Sequence, residues 1–444
     1  MTVIFNGVEM FDFKGSGIKY FSRSLLAAAR SSGIDSALLL QTKGNGAESA
    51  LAQSTLFQLH QPQGSRADKI RLLLRERLLA PWRLRPPRLK AVRIPADDPL
   101  RSTALKRLPG TGYEPDFLAG QGLFFTARQR FALNGSFTAL QLPQAGAARD
   151  RSLPLLHNPL PYPLLLEGGT TITTVHDLIP LTHPEVCLDN PDEFHRLISR
   201  VLRHSAAVHA ISQYTADTLM EIYGAGLRDR IHVIPQPAPV PLAGPGQRQQ
   251  LVEEHLAVWD RLHREGEGYL LQLGSIEPKK NHDTTVQAFR ELRRRYPGLQ
   301  LVVVGKRGWL CEEICETLSK GRRQGIVWLG SVPRSTVEHL LRGALALVFP
   351  SLVEGWGLPP QEAMAMGTPA VVADIPPCRE ACGDAALFVD PPTDVTRLRD
   401  AVLELLGDRE RYAEIVERSL VQSTVHDPER FGVAMAGLYR RLGA

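Results

Sequence analysis

Short apolar runs rich in β-branched residues alternate with longer stretches of helical periodicity along much of this 444-residue chain. Parallel strands must be joined by crossover connections, which are usually helices. The alternation therefore predicts βαβ units and an α/β fold with parallel sheets. The runs that we interpret as strands include TTITTV (170–175), AVHAIS (207–212), YLLQL (269–273), LQLVVV (299–304), IVWLG (326–330), LALVF (345–349), PAVVA (369–373) and ALFVD (386–390).

The distribution of proline and glycine divides the chain into two parts. The segment PQPAPVPLAGPGQ (235–247) lies between two series of predicted strands, and its composition is typical of an interdomain linker. A chain of 444 residues with 43% hydrophobic content also exceeds one core of ordinary size. We therefore predict two Rossmann-like domains that face each other across a cleft, over residues 1–240 and 241–427. A last helix, over 428–444, has the length to cross back onto the first domain.

Two glutamates flank the segment EGWGLPPQE (354–362), which follows the predicted strand LALVF. Glu354 is expected at the carboxyl end of that strand, and the two prolines favour a helix start that places Glu362 in its first turns. Ligands of doubly wound α/β proteins bind outside such strand ends, where helix-start amides receive hydroxyl or phosphate groups. The two carboxylates are candidates for holding different parts of one polyhydroxylated ligand. The alternative is that both carboxylates bind no ligand and only interact favourably with the helix dipole or face solvent.

A second candidate ligand loop is GSIEPKKN (274–281), where Lys279 and Lys280 come directly before a predicted helix. Two ammonium groups beside the free amides of a helix start suit a diphosphate, because the helix dipole adds its positive end. A solvated turn that happens to carry two lysines is the alternative interpretation.

The first domain contributes two weaker signals. His176 and Asp177 follow the run TTITTV, so they are expected at a strand end that borders the cleft. Taken alone, such a pair is more often structural than catalytic. Gly15 and Gly17 lie between the first predicted strand and a helix that begins near Ile18. The loop that contains them either passes close to a diphosphate or forms an ordinary βα turn.

Charge and cysteine content exclude several classes of protein. A net charge of +5 and a pI near 9.0 are too small a bias to indicate a nucleic-acid-binding protein, so no nucleic-acid partner is expected. Five cysteines without a metal-ligand spacing favour a reducing cytoplasm and predict no metal site. No apolar run approaches the roughly 20 residues of a membrane-spanning helix. We therefore expect a cytoplasmic protein.

Residues 60–150 of the first domain have weak periodicity, and we interpret them as an insertion. Within them, the segment 66–93 carries ten Lys and Arg residues against Asp68 and Glu76, together with leucines and Trp82. This bias suits a peripheral surface segment that contacts an anionic membrane or acceptor. A plain solvated helix face is the alternative.

Four blocks of sequence, in the same order, resemble the retaining nucleotide-sugar glycosyltransferases of family 4, which have the two-domain GT-B fold. The resemblance implies an N-terminal acceptor domain and a C-terminal donor domain. It also implies a nucleotide-sugar co-substrate with no metal or other cofactor. The four blocks are FKGSGIKYF (13–21), VHDLIP (175–180), GSIEPKKN (274–281) and EGWGLPPQEAMAMGTPAV (354–371).

The same resemblance implies roles for individual residues. His176, Lys280 and Glu354 would be catalytic, with His176 and Glu354 close to the reacting sugar and Lys280 on the diphosphate. Glu362 would bind the ribose hydroxyls. Members often carry an arginine where this chain has Ser275, which leaves the neighbouring lysines to compensate. The expected donor-binding residues are Gly15, Gly17, Lys279, Lys280, Glu354, Gly355, Trp356, Gly357, Leu358 and Glu362.

The resemblance further implies transfer with retention at the anomeric carbon, in which the leaving phosphate helps to deprotonate the incoming hydroxyl and no protein nucleophile is needed. The chain is most similar to members that build bacterial surface polysaccharides from GDP-mannose or a related deoxysugar donor, such as one carrying rhamnose. The expected acceptor is a glycan or lipid-linked glycan. The alternatives are a UDP-sugar donor, a GT-B nucleotide-sugar epimerase, and a catalytically silent scaffold subunit. The joint presence of Glu354, Lys280 and His176 argues against the last of these.

Overall fold

The computed structural model describes residues 2–7, 17–42, 88–93, 116–120, 127, 131, 135–142 and 154–443. Its strands form two separate sheets, and we refer to the parts of the chain built on them as the first and second domain. The α/β fold with parallel sheets is therefore confirmed.

The first domain contains a sheet of ten described strands. These are β1 (Thr2–Asn6), β2 (Asp35–Thr42), β3 (Arg88–Arg93), β4 (Phe117–Gly120), β5 (Thr138–Gln141), β6 (Leu155–Asn158), β7 (Leu164–Leu166), β8 (Thr170–Val175), β9 (Ala207–Ala210) and β10 (Ile231–Val233). Their spatial order is β10-β9-β8-β6-β1-β2-β4-β3-β5-β7. Neighbouring strands run parallel except for β3 and β4.

The second domain contains a sheet of six strands, all of them parallel. They are β11 (Gly268–Leu273), β12 (Leu299–Val304), β13 (Ile326–Trp328), β14 (Ala346–Phe349), β15 (Ala370–Ala373) and β16 (Leu387–Val389). Their spatial order is β13-β12-β11-β14-β15-β16, the arrangement of a doubly wound Rossmann sheet. Every residue of β14 and β15 is buried, as expected for central strands that are covered on both faces.

Helices connect the strands in both domains. The described α-helices are α1 (Gly17–Ser31), α2 (Ile179–Thr182), α3 (Pro191–His204), α4 (Gln213–Tyr223), α5 (Pro245–Glu265), α6 (His282–Arg295), α7 (Glu312–Lys320), α8 (Arg334–Gly343), α9 (Leu358–Ala365), α10 (Pro376–Cys382), α11 (Val395–Gly407), α12 (Arg409–Gln422) and α13 (Pro428–Gly443). Short 3-10 helices span Pro184–Val186, Ala225–Arg230, Pro278–Lys280 and Gly321–Gln324.

The last helix, α13, packs on the first domain although it follows the second domain in the chain. Phe431 lies edge-on to Phe21 of α1, with 6.1 Å between ring centroids, and Tyr439 meets Phe5 of β1 at the same separation. The four rings exclude water between α13 and the first sheet. This arrangement confirms that the last helix crosses back onto the first domain.

Two sequence interpretations fall largely outside the described residues. Most of the expected insertion over 60–150, and all of the basic segment 66–93 except strand β3, lie in undescribed parts of the chain. Membrane contact through that segment stays a prediction, as do the domain boundaries at 240 and 427. Among the residues that the structure describes, every helix falls short of the length and apolarity needed to cross a bilayer.

A buried chain of hydrogen bonds joins α13 to the end of β10. The carbonyl oxygen of Ile234 accepts from His209 Nε2 at 2.8 Å, so His209 Nδ1 is left to accept from the Thr174 hydroxyl at 3.0 Å. Thr174 in turn accepts from His157 Nε2 at 2.9 Å, and the Tyr439 hydroxyl donates to His157 Nδ1 at 2.7 Å. This direction of donation holds only while both histidines are neutral. Burial lowers the pKa of both, that of His209 to about 4.

We expect the free energy of unfolding to fall as the pH is lowered through the interval from about 6.5 to about 4. The ordinary pKa of histidine is 6.5, so the unfolded chain takes up a proton at His209 before the folded chain does. Urea denaturation between pH 7.5 and 4.5 measures the slope. His209→Asn should flatten it, whereas His339→Gln, at an exposed position, should leave it unchanged. Equal slopes for His209→Asn and wild type would contradict the prediction.

Candidate active site

The site is built where the order of the second sheet reverses. Strands β11 and β14 are neighbours, but the chain leaves them in opposite directions along the sheet. Such a reversal opens a crevice outside the carboxyl ends of the two strands. The loops that begin there are 274–281 and 350–357, which contain the lysines and the first glutamate that the sequence singles out.

Lys280 and Glu354 form an ion pair across these two loops. Lys280 Nζ lies 2.5 Å from Glu354 Oε1, and each side chain is only 12% exposed. The same ammonium lies 5.0 Å from the centroid of the Phe349 ring. A charge in such a partly dry position needs a partner, because the water that would otherwise solvate it is excluded. The two residues therefore depend on each other.

Hydrogen bonds fix the positions of the two loops relative to each other. Asn281 adopts a left-handed conformation, with φ of 53°, that ends the lysine loop. Its Nδ2 donates to the carbonyl oxygens of Pro350 at 3.0 Å and Pro392 at 2.9 Å. The amide of Leu352 donates to the carbonyl oxygen of Lys279 at 2.8 Å. The bonds to Pro350 and from Leu352 hold the lysine loop and the glutamate loop together independently of the ion pair, and the bond to Pro392 ties the lysine loop to the segment after β16.

Lys279 lies among carboxylates from both domains. Its Nζ is 3.7 Å from Glu277 Oε1, and Glu277 also accepts from the indole N–H of Trp309 at 3.2 Å. Burial acts to lower the pKa of Lys279, but the charges of Glu354, Asp177 and Glu277 outweigh it and raise that pKa. Asp177 belongs to the first domain, so Lys279 lies at the junction of the two domains.

Glu362 is paired with an arginine that sequence reasoning missed. Arg334 Nη1 lies 2.7 Å from Glu362 Oε1, and the Glu362 side chain is 10% exposed. Burial raises the pKa of Glu362, and the guanidinium of Arg334 opposes that rise. Arg334 also lies 5.8 Å from the ring centroid of Tyr20 in α1 of the first domain. The available signal was an arginine directly after a proline, a few residues beyond the run IVWLG.

The segment from Gly355 to Leu358 joins the glutamate loop to α9. A Cβ added to Gly355 would lie 2.3 Å from the carbonyl oxygen of His176, so only glycine fits against the first domain here. Gly357 precedes the first residue of α9, and Leu358 begins that helix. Trp356 is buried and its ring lies edge-on to His426, at 5.0 Å between centroids. Its indole therefore packs against the chain just before α13.

His176 stands directly after β8, and its carbonyl oxygen contacts this segment at Gly355. Its Nε2 donates to the carbonyl oxygen of Pro159 at 2.8 Å, which fixes the tautomer with a lone pair on Nδ1. Its ring meets the Phe21 ring edge-on at 4.8 Å. Burial lowers its pKa, against the Pro159 hydrogen bond and the charge of Asp177. The imidazole is accordingly a neutral group at physiological pH.

The structure thus brings together Lys279, Lys280, Glu354, Gly355 and His176. Glu362 lies along α9 from this group and is bound to Arg334. Gly17 is the first residue of α1, and Gly15 lies outside the described residues. Cationic groups beside a helix start suit the oxygens of a diphosphate, and carboxylates suit sugar hydroxyls. The residue roles inferred from the sequence stay predictions.

The fold defines the class to which the protein belongs, the GT-B class of two-domain glycosyltransferase folds. The structure of WaaG, a glycosyltransferase involved in lipopolysaccharide biosynthesis, superposes with a TM-score of 0.55 at 14% identity, covering 98% of this chain and 99% of WaaG. Anabaena Alr3699/HepE in complex with UDP-glucose superposes with a TM-score of 0.58 at 14% identity, covering 100% of both chains. At these identities the likeness concerns the fold alone.

Sequence comparison finds similarity to glycosyltransferases. The profile described as Glycosyl transferases group 1 matches residues 257–420, which lie within the second domain. O-antigen chain mannosyltransferase B of Escherichia coli is 29% identical over 323 residues, or 68% of this chain and 78% of that protein. O-antigen chain mannosyltransferase RfbU of Salmonella typhimurium is 25% identical over 218 residues, or 49% of this chain and 56% of that protein. The resemblance seen in the sequence blocks is thereby confirmed.

We expect the Lys280–Glu354 pair to be strongly coupled. Lys280→Met should lower the free energy of unfolding by about 3 kcal/mol, because it leaves a buried carboxylate unpaired. Adding Glu354→Gln should recover at least about 1 kcal/mol of that loss. Lys320→Met removes one partner of an exposed ion pair with Glu316, so it should destabilise the protein much less than Lys280→Met does.

Urea denaturation of Lys280→Met, Glu354→Gln, Lys320→Met and the double variant Lys280→Met/Glu354→Gln measures this coupling. If Lys280→Met were no more destabilising than Lys320→Met, the ion pair would not be the constraint that the geometry indicates.

Proposed function

We propose that this protein is a retaining glycosyltransferase that moves mannose, or a related deoxysugar such as rhamnose, from a GDP-sugar to a glycan or lipid-linked glycan. The observation that carries the proposal is the Lys280–Glu354 pair at the crevice of the second sheet, with His176 on the opposite side. The names of the two O-antigen mannosyltransferases support mannose as the sugar. They also support a role in bacterial surface polysaccharide synthesis.

In this proposal the second domain binds the nucleotide sugar. The ammonium of Lys280 neutralises the negative charge that develops on the diphosphate as it leaves, in a site that excludes most water. Glu354 accepts hydrogen bonds from hydroxyls of the donor sugar, either after the diphosphate has replaced it at Lys280 or while it still contacts that ammonium. Glu362 receives the ribose hydroxyls, with Arg334 holding its carboxylate in place. Gly355, Trp356, Gly357 and Leu358 offer backbone amides at the start of α9.

The first domain completes the reaction centre. His176 is held as a neutral imidazole with a lone pair on Nδ1, so it can accept a hydrogen bond from a hydroxyl of the reacting sugar without adding charge. The incoming acceptor hydroxyl attacks the anomeric carbon on the face from which the diphosphate leaves. Its proton passes to a phosphate oxygen, so no side chain forms a covalent intermediate. The protein contributes positioning, charge stabilisation and exclusion of water.

A UDP-sugar donor is the second candidate, because HepE has the same fold and was solved in complex with UDP-glucose. The proposal also includes a cytoplasmic location, which is consistent with the five unpaired cysteines. Contact with an anionic membrane surface through 66–93 belongs to the proposal as well. It predicts that charge reversal in this segment weakens binding to anionic vesicles.

We expect GDP-mannose to stabilise the protein against heat more than UDP-glucose, ADP-glucose or TDP-sugars do, and to be slowly hydrolysed. Released or transferred mannose should carry the α configuration of the donor when followed by proton NMR during the first turnovers. EDTA should not change the rate. Stabilisation by UDP-sugars alone would overturn the GDP assignment, and a β product would overturn retention. An epimerised nucleotide sugar would replace the transferase with an epimerase.

We expect Lys280→Ala and Glu354→Ala to lower turnover about 100-fold, because each removes an interaction that strengthens in the transition state. Glu362→Ala should mainly weaken donor binding, since ribose contacts are similar in the ground state and transition state. Titration calorimetry and donor turnover separate the two effects. Lys320→Ala, on the surface of α7, is the matched control. Near-wild-type turnover in both of the first two variants would contradict the site.

A further inference from the structure

A carboxylate of the second domain binds the start of a helix in the first domain. Glu380 in α10 accepts two hydrogen bonds, from the amide of Gln213 at 2.6 Å and from the amide of Tyr214 at 2.7 Å. These amides belong to the first turn of α4, where no preceding carbonyl is available to them. A carboxylate in this position also interacts favourably with the positive end of the helix dipole. We call this contact the Glu380 clasp.

The helix start that Glu380 holds is connected directly to His176. Ser212 caps α4 by accepting from the Thr215 amide at 3.0 Å, and its hydroxyl donates to Thr215 Oγ1 at 2.9 Å. The Thr215 hydroxyl then donates to the carbonyl oxygen of His176 at 3.1 Å. The position of the His176 backbone is therefore set by the first turn of α4.

The other end of the clasp is connected to the glutamate loop. A Cβ added to Gly357 would lie 3.2 Å from the Cβ of Ala381, the residue next to Glu380 in α10. Gly355, two residues before Gly357, packs against the carbonyl oxygen of His176. The contacts form a closed ring that runs from the glutamate loop through α10, Glu380 and α4 to His176 and back.

We propose that Glu380 is a positioning residue that sets His176 in register with the Glu354–Leu358 segment when the two domains are together. The inference rests on the proposed function, because it assigns Glu380 a part in the same transfer reaction. Within the described part of the chain, the Glu380 carboxylate bonds the two α4 amides, and neither Gln213 nor Tyr214 is among the expected donor-binding residues. Its loss should therefore lower turnover while leaving the affinity for the donor nearly unchanged.

A proline substitution tests the clasp without changing Glu380. Gln213→Pro removes one of the two amide donors at the first position of α4, where proline is well tolerated. Ser212 is extended, with φ of −149° and ψ of 157°, which is a conformation that a residue before proline adopts. Gln213→Ala is the matched control, since it removes the side chain and keeps the amide.

We expect Gln213→Pro and Glu380→Ala each to lower kcat at least about 5-fold, with the donor Kd within about 2-fold of wild type. Gln213→Ala should match wild type in both quantities. The double variant Gln213→Pro/Glu380→Ala should be no slower than Glu380→Ala, because both changes break the same contact. Equal kcat for Gln213→Pro and Gln213→Ala would overturn the proposal, as would additive losses in the double variant.

Hydrogen exchange gives a readout that does not depend on catalysis. Amides in the start of α4 and in the segment after β8 should exchange at least about 5-fold faster in Glu380→Ala than in wild type, while those of β11 and β12 stay unchanged. Unchanged exchange at α4 would overturn the clasp even if the wild-type protein proved active. Absence of turnover in the wild type with every donor would instead overturn the proposed function, and the exchange result would still decide whether the clasp exists.

Discussion

Two ionised groups, the Lys280 ammonium and the Glu354 carboxylate, lie 2.5 Å apart with each side chain about nine-tenths buried. Neither charge is stable there without the other, so the loops that carry them must meet. The reversal of strand order between β11 and β14 is what allows two loops distant in sequence to do so. A diphosphate would compete with Glu354 for Lys280. Each partner therefore needs the other, and the pair keeps a cation ready for an anionic ligand.

The second constraint is the close contact between the domains at this point. Gly355 leaves no room for a side chain against the carbonyl oxygen of His176. Val353 of the same loop packs with Ile179 and Val186, which follow His176 in the first domain. The apolar contact excludes water beside the ion pair, and exclusion of water strengthens electrostatic interactions. A group on the first domain thus faces charges on the second in a partly dry space.

The sequence predicted much of this arrangement because the relevant signals are local. Central parallel strands are apolar throughout, so β14 and β15 could be recognised as runs, and each run ends where a ligand loop begins. Lys280 and Glu354 could be predicted as site residues because each lies in the loop that follows a predicted strand. Arg334 and Glu380 could not be found in this way. Their significance depends on partners that are 28 and 167 residues away in sequence, Glu362 and Gln213, and no local pattern encodes those contacts. The backbone of Trp356 was expected to contact the donor. The burial of its side chain against His426 could not be predicted, because it depends on the path of the chain before α13.

The most direct test of the account is a crystal structure of the protein with GDP-mannose or GDP. We expect the diphosphate in the crevice of the second sheet, with an oxygen within about 3.2 Å of Lys280 Nζ and the ribose hydroxyls on Glu362. We also expect the sugar, when present, between Glu354 and His176. A nucleotide bound elsewhere, with the Lys280–Glu354 pair undisturbed, would contradict the account.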